Sequence, residues 1–233
     1  MYNKDLLQLI NKDIMKEMSI FCGRENFPCA ISHFLGMIVT GLITAELIVN
    51  NVFERADPWK IVAYSLFCAC LCIYYLISVL VHTIYISERV HKALERIDAC
   101  TLPLLVTGIY MPICFIILRG AVGWILFGMV WGYAVSSIIL KALTHYPRWL
   151  LYFCQTLMCG FLFFSIIILT HTIHQNGLFG LTGGGLFYAL GIMIHPYKIL
   201  QIEDKRIGNH ELSHYLTLLG SVCHCIFLIV FLN

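Results

Sequence analysis

The chain has 233 residues, of which 60% are hydrophobic and 12% charged, with a formal net charge of +2. Ordinary globular domains carry about twice that charged fraction, and the mean hydropathy of +0.83 is too high for a wet surface. This composition excludes intrinsic disorder, a nucleic-acid-binding domain and a disulfide-stapled secreted module. What remains is an all-α membrane protein surrounded by membrane lipids. At about 20 apolar residues per span, the length holds about seven spans and no sizeable soluble domain.

Residues 1–28 are polar and charged, without the basic start and apolar run of a cleavable signal peptide. Leu6, Leu7, Leu9, Ile10 and Ile14 lie among charges there, which predicts an amphipathic helix lying on the membrane surface. The membrane domain, 29–233, divides into seven predicted spans. They are Cys29–Val49, Trp59–His82, Ile97–Leu118, Val122–Leu140, Trp149–Thr170, Leu178–Tyr197 and Glu211–Leu232. The runs are apolar all round and lack the period-two alternation of barrel strands, so a seven-transmembrane-helix bundle is expected.

Lysine and arginine set the orientation. One side holds Lys4, Lys12, Lys16, Arg24, Arg89, Lys92, Arg96, Lys141, Arg148, Lys198, Lys205 and Arg206; the other holds Arg55, Lys60 and Arg119. This predicts a cytoplasmic N-terminus and an external C-terminus, as an odd number of spans requires. The short length suggests a bacterial inner membrane.

Ionisable groups inside spans are costly and are functional candidates. They are His33 and Glu46 in span one, His82 ending span two, Asp98 opening span three, and His210, His214 and His224 in span seven. In the predicted topology, the end of span two and the starts of spans three and seven share the cytoplasmic side. His82, Asp98, His210 and His214 therefore fall in one layer, and such a layer can form a metal site in a bundle core. His210 and His214 are spaced i, i+4 and share a helix face. Three imidazoles plus a water is a common catalytic zinc set. Asp98 could bind directly or hold the water at the metal, and Ser78, one turn before His82, is a candidate hydrogen-bond partner behind the ligands.

Other patterns compete. His210-Glu211-Leu212-Ser213-His214 reads H-E-x-x-H, the zinc-protease signature. Only 19 residues follow, leaving little room for a later carboxylate ligand, and a helix start welcomes a carboxylate on its own account. Cys68, Cys70 and Cys72 are spaced by two, which spreads them around a helix rather than gathering them on one face. Buried cysteines of this kind serve as small apolar side chains. Gly183, Gly184 and Gly185 predict close helix packing.

Several of these pieces, in their order and spacing, resemble the hemolysin III family, the bacterial branch of the progestin and adipoQ receptor (PAQR) family. They are Ser32-His33-Phe34-Leu35-Gly36, Ser78-x3-His82, Asp98, Gly108-Ile109-Tyr110-Met111-Pro112, the tryptophans Trp124 and Trp131, Gly183-Gly184-Gly185 with Tyr188, and His210-x3-His214 followed by Gly220 and His224. The family pattern often has His where this chain has Ala99, Tyr where it has Val81, and Thr where it has Ile109 and Met111. These departures leave the metal set intact. The resemblance implies zinc near the cytoplasmic face, held by His82, His210 and His214, with Asp98 acting through a bridging water and Ser78 beside it. The wider superfamily includes alkaline ceramidases, which implies hydrolysis of a lipid amide. The same family also implies a non-enzymatic alternative: a cytolytic or channel-like protein, or a receptor or membrane-homeostasis sensor, with structural zinc. Mid-membrane positions are mostly apolar apart from groups such as Tyr110, Gln155 and His224, which disfavours an open pore through one monomer.

Overall fold

The structure is a computed structural model that describes residues 27–55, 57–143, 157, 167, 169–197 and 209–232. The predicted surface helix in 1–28 lies almost wholly outside the described residues. So does nearly all of the fifth predicted span, Trp149–Thr170. Every regular element among the described residues is helical, and six helices are long and apolar enough to cross a membrane.

They are α1 (Phe27–Phe53), α2 (Pro58–Thr83), α3 (Glu88–Pro112), α4 (Ala121–Ala142), α5 (Gln175–Tyr197) and α6 (Asn209–Phe227). α3 and α6 each end in a wider π-helical turn, at Ile113–Ile117 and Leu228–Leu232. Local chemistry sets several ends. The Asp57 side chain accepts from the Trp59 N–H, and Pro58 opens α2 where a missing N–H costs nothing. Gly120, at φ +104°, makes the turn into α4 that a side chain would strain.

α3 differs most from expectation. It begins at Glu88, not at Ile97, so Arg89, Lys92 and Arg96 sit on helix rather than in a loop. Ser87 caps it by accepting from the Val90 N–H at 3.3 Å. Lys92–Glu88 and His91–Glu95 pairs at i, i+4 support the charged first turns. Hydropathy alone cannot see such an extension, because its residues are polar.

α1, α2, α3 and α4 pack in chain order, α5 packs on α6, and α6 closes back onto α1. Small residues permit the closest approaches. A Cβ on Gly108 would lie 2.6 Å from Cys70 Cβ in α2, and one on Gly184 would lie 2.5 Å from a ring nitrogen of His224 in α6. The glycine-rich run thus serves packing through Gly184, whereas Gly183 faces open space. The remote end of the bundle carries an aromatic cluster of Trp59, Phe115, Trp124 and Phe127 and an Arg119–Asp57 ion pair. Tryptophans gather at such depths because their rings are apolar with one polar edge.

Candidate metal centre

At the opposite end, three helices deliver one histidine each: His33 from α1, His82 from α2 and His214 from α6. They are 2%, 6% and 8% exposed. One ring nitrogen of each lies within 4.8 Å of the others. His33 Nε2 and His214 Nδ1 are 2.8 Å apart, so one of the two nitrogens carries the proton. The His33 and His82 rings stack at 5.7 Å and 2°, and both meet His214 edge-on. Histidine is intermediate in its tendency to be buried, and enclosed imidazoles must have their ring nitrogens met by hydrogen bonds or by a cation.

The packing that brings them together is specific. Gly36, one turn after His33, lets α1 approach so closely that a Cβ there would sit 2.7 Å from the Tyr75 ring and 2.9 Å from Leu218. Tyr74 and Tyr75 wall His33 on the α2 side, with ring centroids 5.7 and 5.8 Å away. Below them, Ser221 joins the hydroxyls of Tyr75 and Tyr188, the latter at 2.6 Å. His224 lies deeper still; its Nδ1 donates to the Gly220 carbonyl at 2.7 Å, so it stands apart from the cluster.

Asp98 lies outside the three-histidine set but is tied to it. Ser78 Oγ donates to Asp98 Oδ1 at 2.5 Å, and Ser78 is one turn before His82 on α2. The serine is fully buried. The carboxylate is therefore anchored to the helix that carries His82.

The α6 backbone puts His210 one turn before His214, and the His210 side chain lies outside the described residues. Glu211 falls in the first turn of α6, where the helix dipole favours a carboxylate. Glu46 is on the exposed face of α1. Cys68 and Cys72 lie side by side on α2 with sulfurs 3.7 Å apart.

The sequence expectation therefore brings His82, His214, Asp98 and Ser78 to one end, as the topology argument required. It left out His33. The signal for His33 was present: span one starts on the side where span two ends, so the same depth rule that grouped the other residues covers a histidine six residues into α1. Lys141 also differs from expectation. Counted among loop-edge cations, it instead lies in the last turn of α4, only 7% exposed.

Comparison with known proteins places the chain in a family. The profile of the family described as "Haemolysin-III related" matches residues 25–225. The chain belongs to this family. It is similar to the protein named Hemolysin-3 of Bacillus cereus, 26% identical over 200 residues, covering 85% of this chain and 87% of the relative. It is likewise similar to the Hemolysin-3 homolog of Bacillus subtilis (strain 168), 26% identical over 204 residues, covering 87% of this chain and 92% of the relative. The match spans α1 to most of α6, so it takes in each histidine of the buried cluster. With six apolar helices among the described residues and bacterial relatives over most of the chain, this haemolysin-III-related chain is a multi-pass integral membrane protein of the bacterial plasma membrane.

Proposed function

We propose that this protein is a zinc-dependent hydrolase of membrane lipid amides of the ceramide type. The observation that carries the reading is that His82 and His214, with His33 against them, are buried beside the Ser78–Asp98 pair, while the α6 backbone puts His210 one turn before His214. An all-imidazole donor set suits zinc better than magnesium or calcium, which take oxygen ligands. His82, His210 and His214 hold the ion. His33 meets His214 at the ring nitrogen left over and fixes its tautomer and tilt. When bound, zinc supplies Lewis acidity at the amide carbonyl and acidifies a water from about 15.7 to about 7.

The chain's own groups do the rest. Asp98 orients the attacking water and takes its proton on the carboxylate oxygen not held by Ser78. The Ser78 hydroxyl keeps the carboxylate aimed and lies where it can also meet the developing oxyanion. The face of α1 beside His33 is exposed and apolar at Ile31, Phe34 and Leu35, so the acyl chain of the substrate stays in the bilayer while its amide reaches the histidines. Purified protein should contain about one zinc per chain by elemental analysis and should cleave at least one member of a ceramide and N-acyl-lipid panel. Retention of zinc with no turnover anywhere on the panel counts against hydrolysis.

That outcome would favour a second reading, a cytolytic or sensor protein in which zinc is structural; the name Hemolysin-3 carried by the relatives fits its cytolytic form. Dye release from vesicles by wild type and by a zinc-free variant separates lysis from hydrolysis.

The proposed membrane orientation has the N-terminus in the cytoplasm and the metal end of the bundle at the inner face. This completes a seven-span count with the span predicted at Trp149–Thr170. Reporter fusions should place residue 1 inside and Asn233 outside. Both ends in one compartment would remove a span from the count.

A further inference from the structure

A buried lysine is among the rarest residues in a protein interior unless it is paired. Lys141 is such a residue, and its Nζ donates to the carbonyl oxygen of Ala99 at 2.8 Å. That carbonyl has a particular history in the sequence. In a regular helix it would accept from the N–H of residue 103, and residue 103 is Pro103, which has none. In a bilayer no water is at hand to satisfy a carbonyl freed in this way. Proline inside a membrane helix therefore needs a donor from elsewhere.

Lys141 reaches it from the next helix. It continues the buried stripe of α4 formed by Val130, Ala134 and Ser137. Cys100, beside Ala99, points its sulfur at the Ile138 carbonyl of the same helix at 3.8 Å, so the two helices meet along this line. Asp98 is the residue before Ala99, so the hydrogen bond to the Ala99 carbonyl holds the ammonium one residue along the backbone from the carboxylate, with Glu95 one turn earlier on α3. One side chain thus meets two needs: an orphaned carbonyl and a carboxylate in a water-poor layer.

We infer that Lys141 is a positioning residue for Asp98: its ammonium replaces the N–H missing at Pro103, pins the Ala99–Cys100 peptide, next to Asp98, to α4, and supplies the positive charge beside the carboxylate. The consequence for catalysis rests on the proposed role of Asp98. The pinning and the charge pairing do not.

Two double-mutant cycles on the full-length protein in detergent test it by thermal unfolding. Lys141→Met should lower the midpoint by roughly 5 °C, from the loss of one buried charged hydrogen bond. Pro103→Ala restores an N–H at residue 103, so in that background the same substitution should cost less than half as much. Lys141→Gln keeps a donor for Ala99 and removes the charge; its loss should shrink when Asp98 is Asn. Lys141→Arg keeps donor and charge and should behave like wild type. Should Lys141→Met fail to fold alone, the Pro103→Ala/Lys141→Met protein decides: its folding supports the inference and its failure overturns it. Equal losses in both backgrounds of either cycle overturn it too, since Lys141 would then be only a packed stem. None of these readouts needs turnover. A wild type that cleaves no lipid amide thus removes the hydrolase reading and leaves this inference to the melting data.

Discussion

Replacing His210 or His82 with alanine should strip most zinc from the purified protein, whereas His33→Ala should leave a site that still fills at higher zinc concentration. The difference follows from what each imidazole does. Removing one of three histidine ligands leaves a two-coordinate remnant that water completes poorly. Removing the imidazole that meets His214 at 2.8 Å leaves the ligands in place and costs only their orientation. Losses of that kind are typically about 10–100-fold in affinity. Zinc content after dialysis against a chelator of known affinity reads both numbers. The alternative outcome is equally sharp. If His33→Ala is empty and His210→Ala is full, the ligand set is the His33, His82 and His214 cluster itself, and His210 has no part in binding. Zinc should also stabilise the fold, because the ligands come from separate helices and the unfolded chain offers no such site. At a free concentration 100-fold above Kd the gain is about 2.7 kcal/mol.

Much of this arrangement is legible from the sequence because membrane helices obey so few rules. Apolar length locates each described span, and the glycines at 108 and 184 mark where helices touch. Topology then turns sequence position into depth, which is how His82, Asp98 and His214 are assigned to one layer before any contact is known. What the sequence hides is local and polar. Five of the first nine residues of α3 are charged, so only their capping serine and i, i+4 pairs reveal the helix. Lys141 reads as one more cation at a loop edge. Its burial depends on Pro103, thirty-eight residues earlier, and on two helices lying side by side. His33 was hidden differently: its depth was available, but a lone histidine near a span start has an ordinary interfacial reading, and only the packing allowed by Gly36 brings it against His214.

Asp98→Asn should keep most of the zinc and lose nearly all hydrolysis. The asparagine carbonyl can still accept from Ser78 Oγ, which now holds Asp98 Oδ1 at 2.5 Å, so the tie between α3 and α2 survives. The amide can hydrogen-bond a water but cannot take its proton. Loss of a general base typically costs about 10²–10⁴-fold, and the drop should appear in kcat with KM little changed. Ser78→Ala makes the complementary test. It leaves the base intact but unaimed, so it should cost less than Asp98→Asn, and the two substitutions together should cost little more than Asp98→Asn alone, because the serine works through the carboxylate. Zinc that leaves with the carboxylate would make Asp98 a direct ligand, against its position outside the histidine set. Zinc retained with turnover at the wild-type rate would mean that another group takes the proton, and Glu211 in the first turn of α6 would then be the next residue to replace.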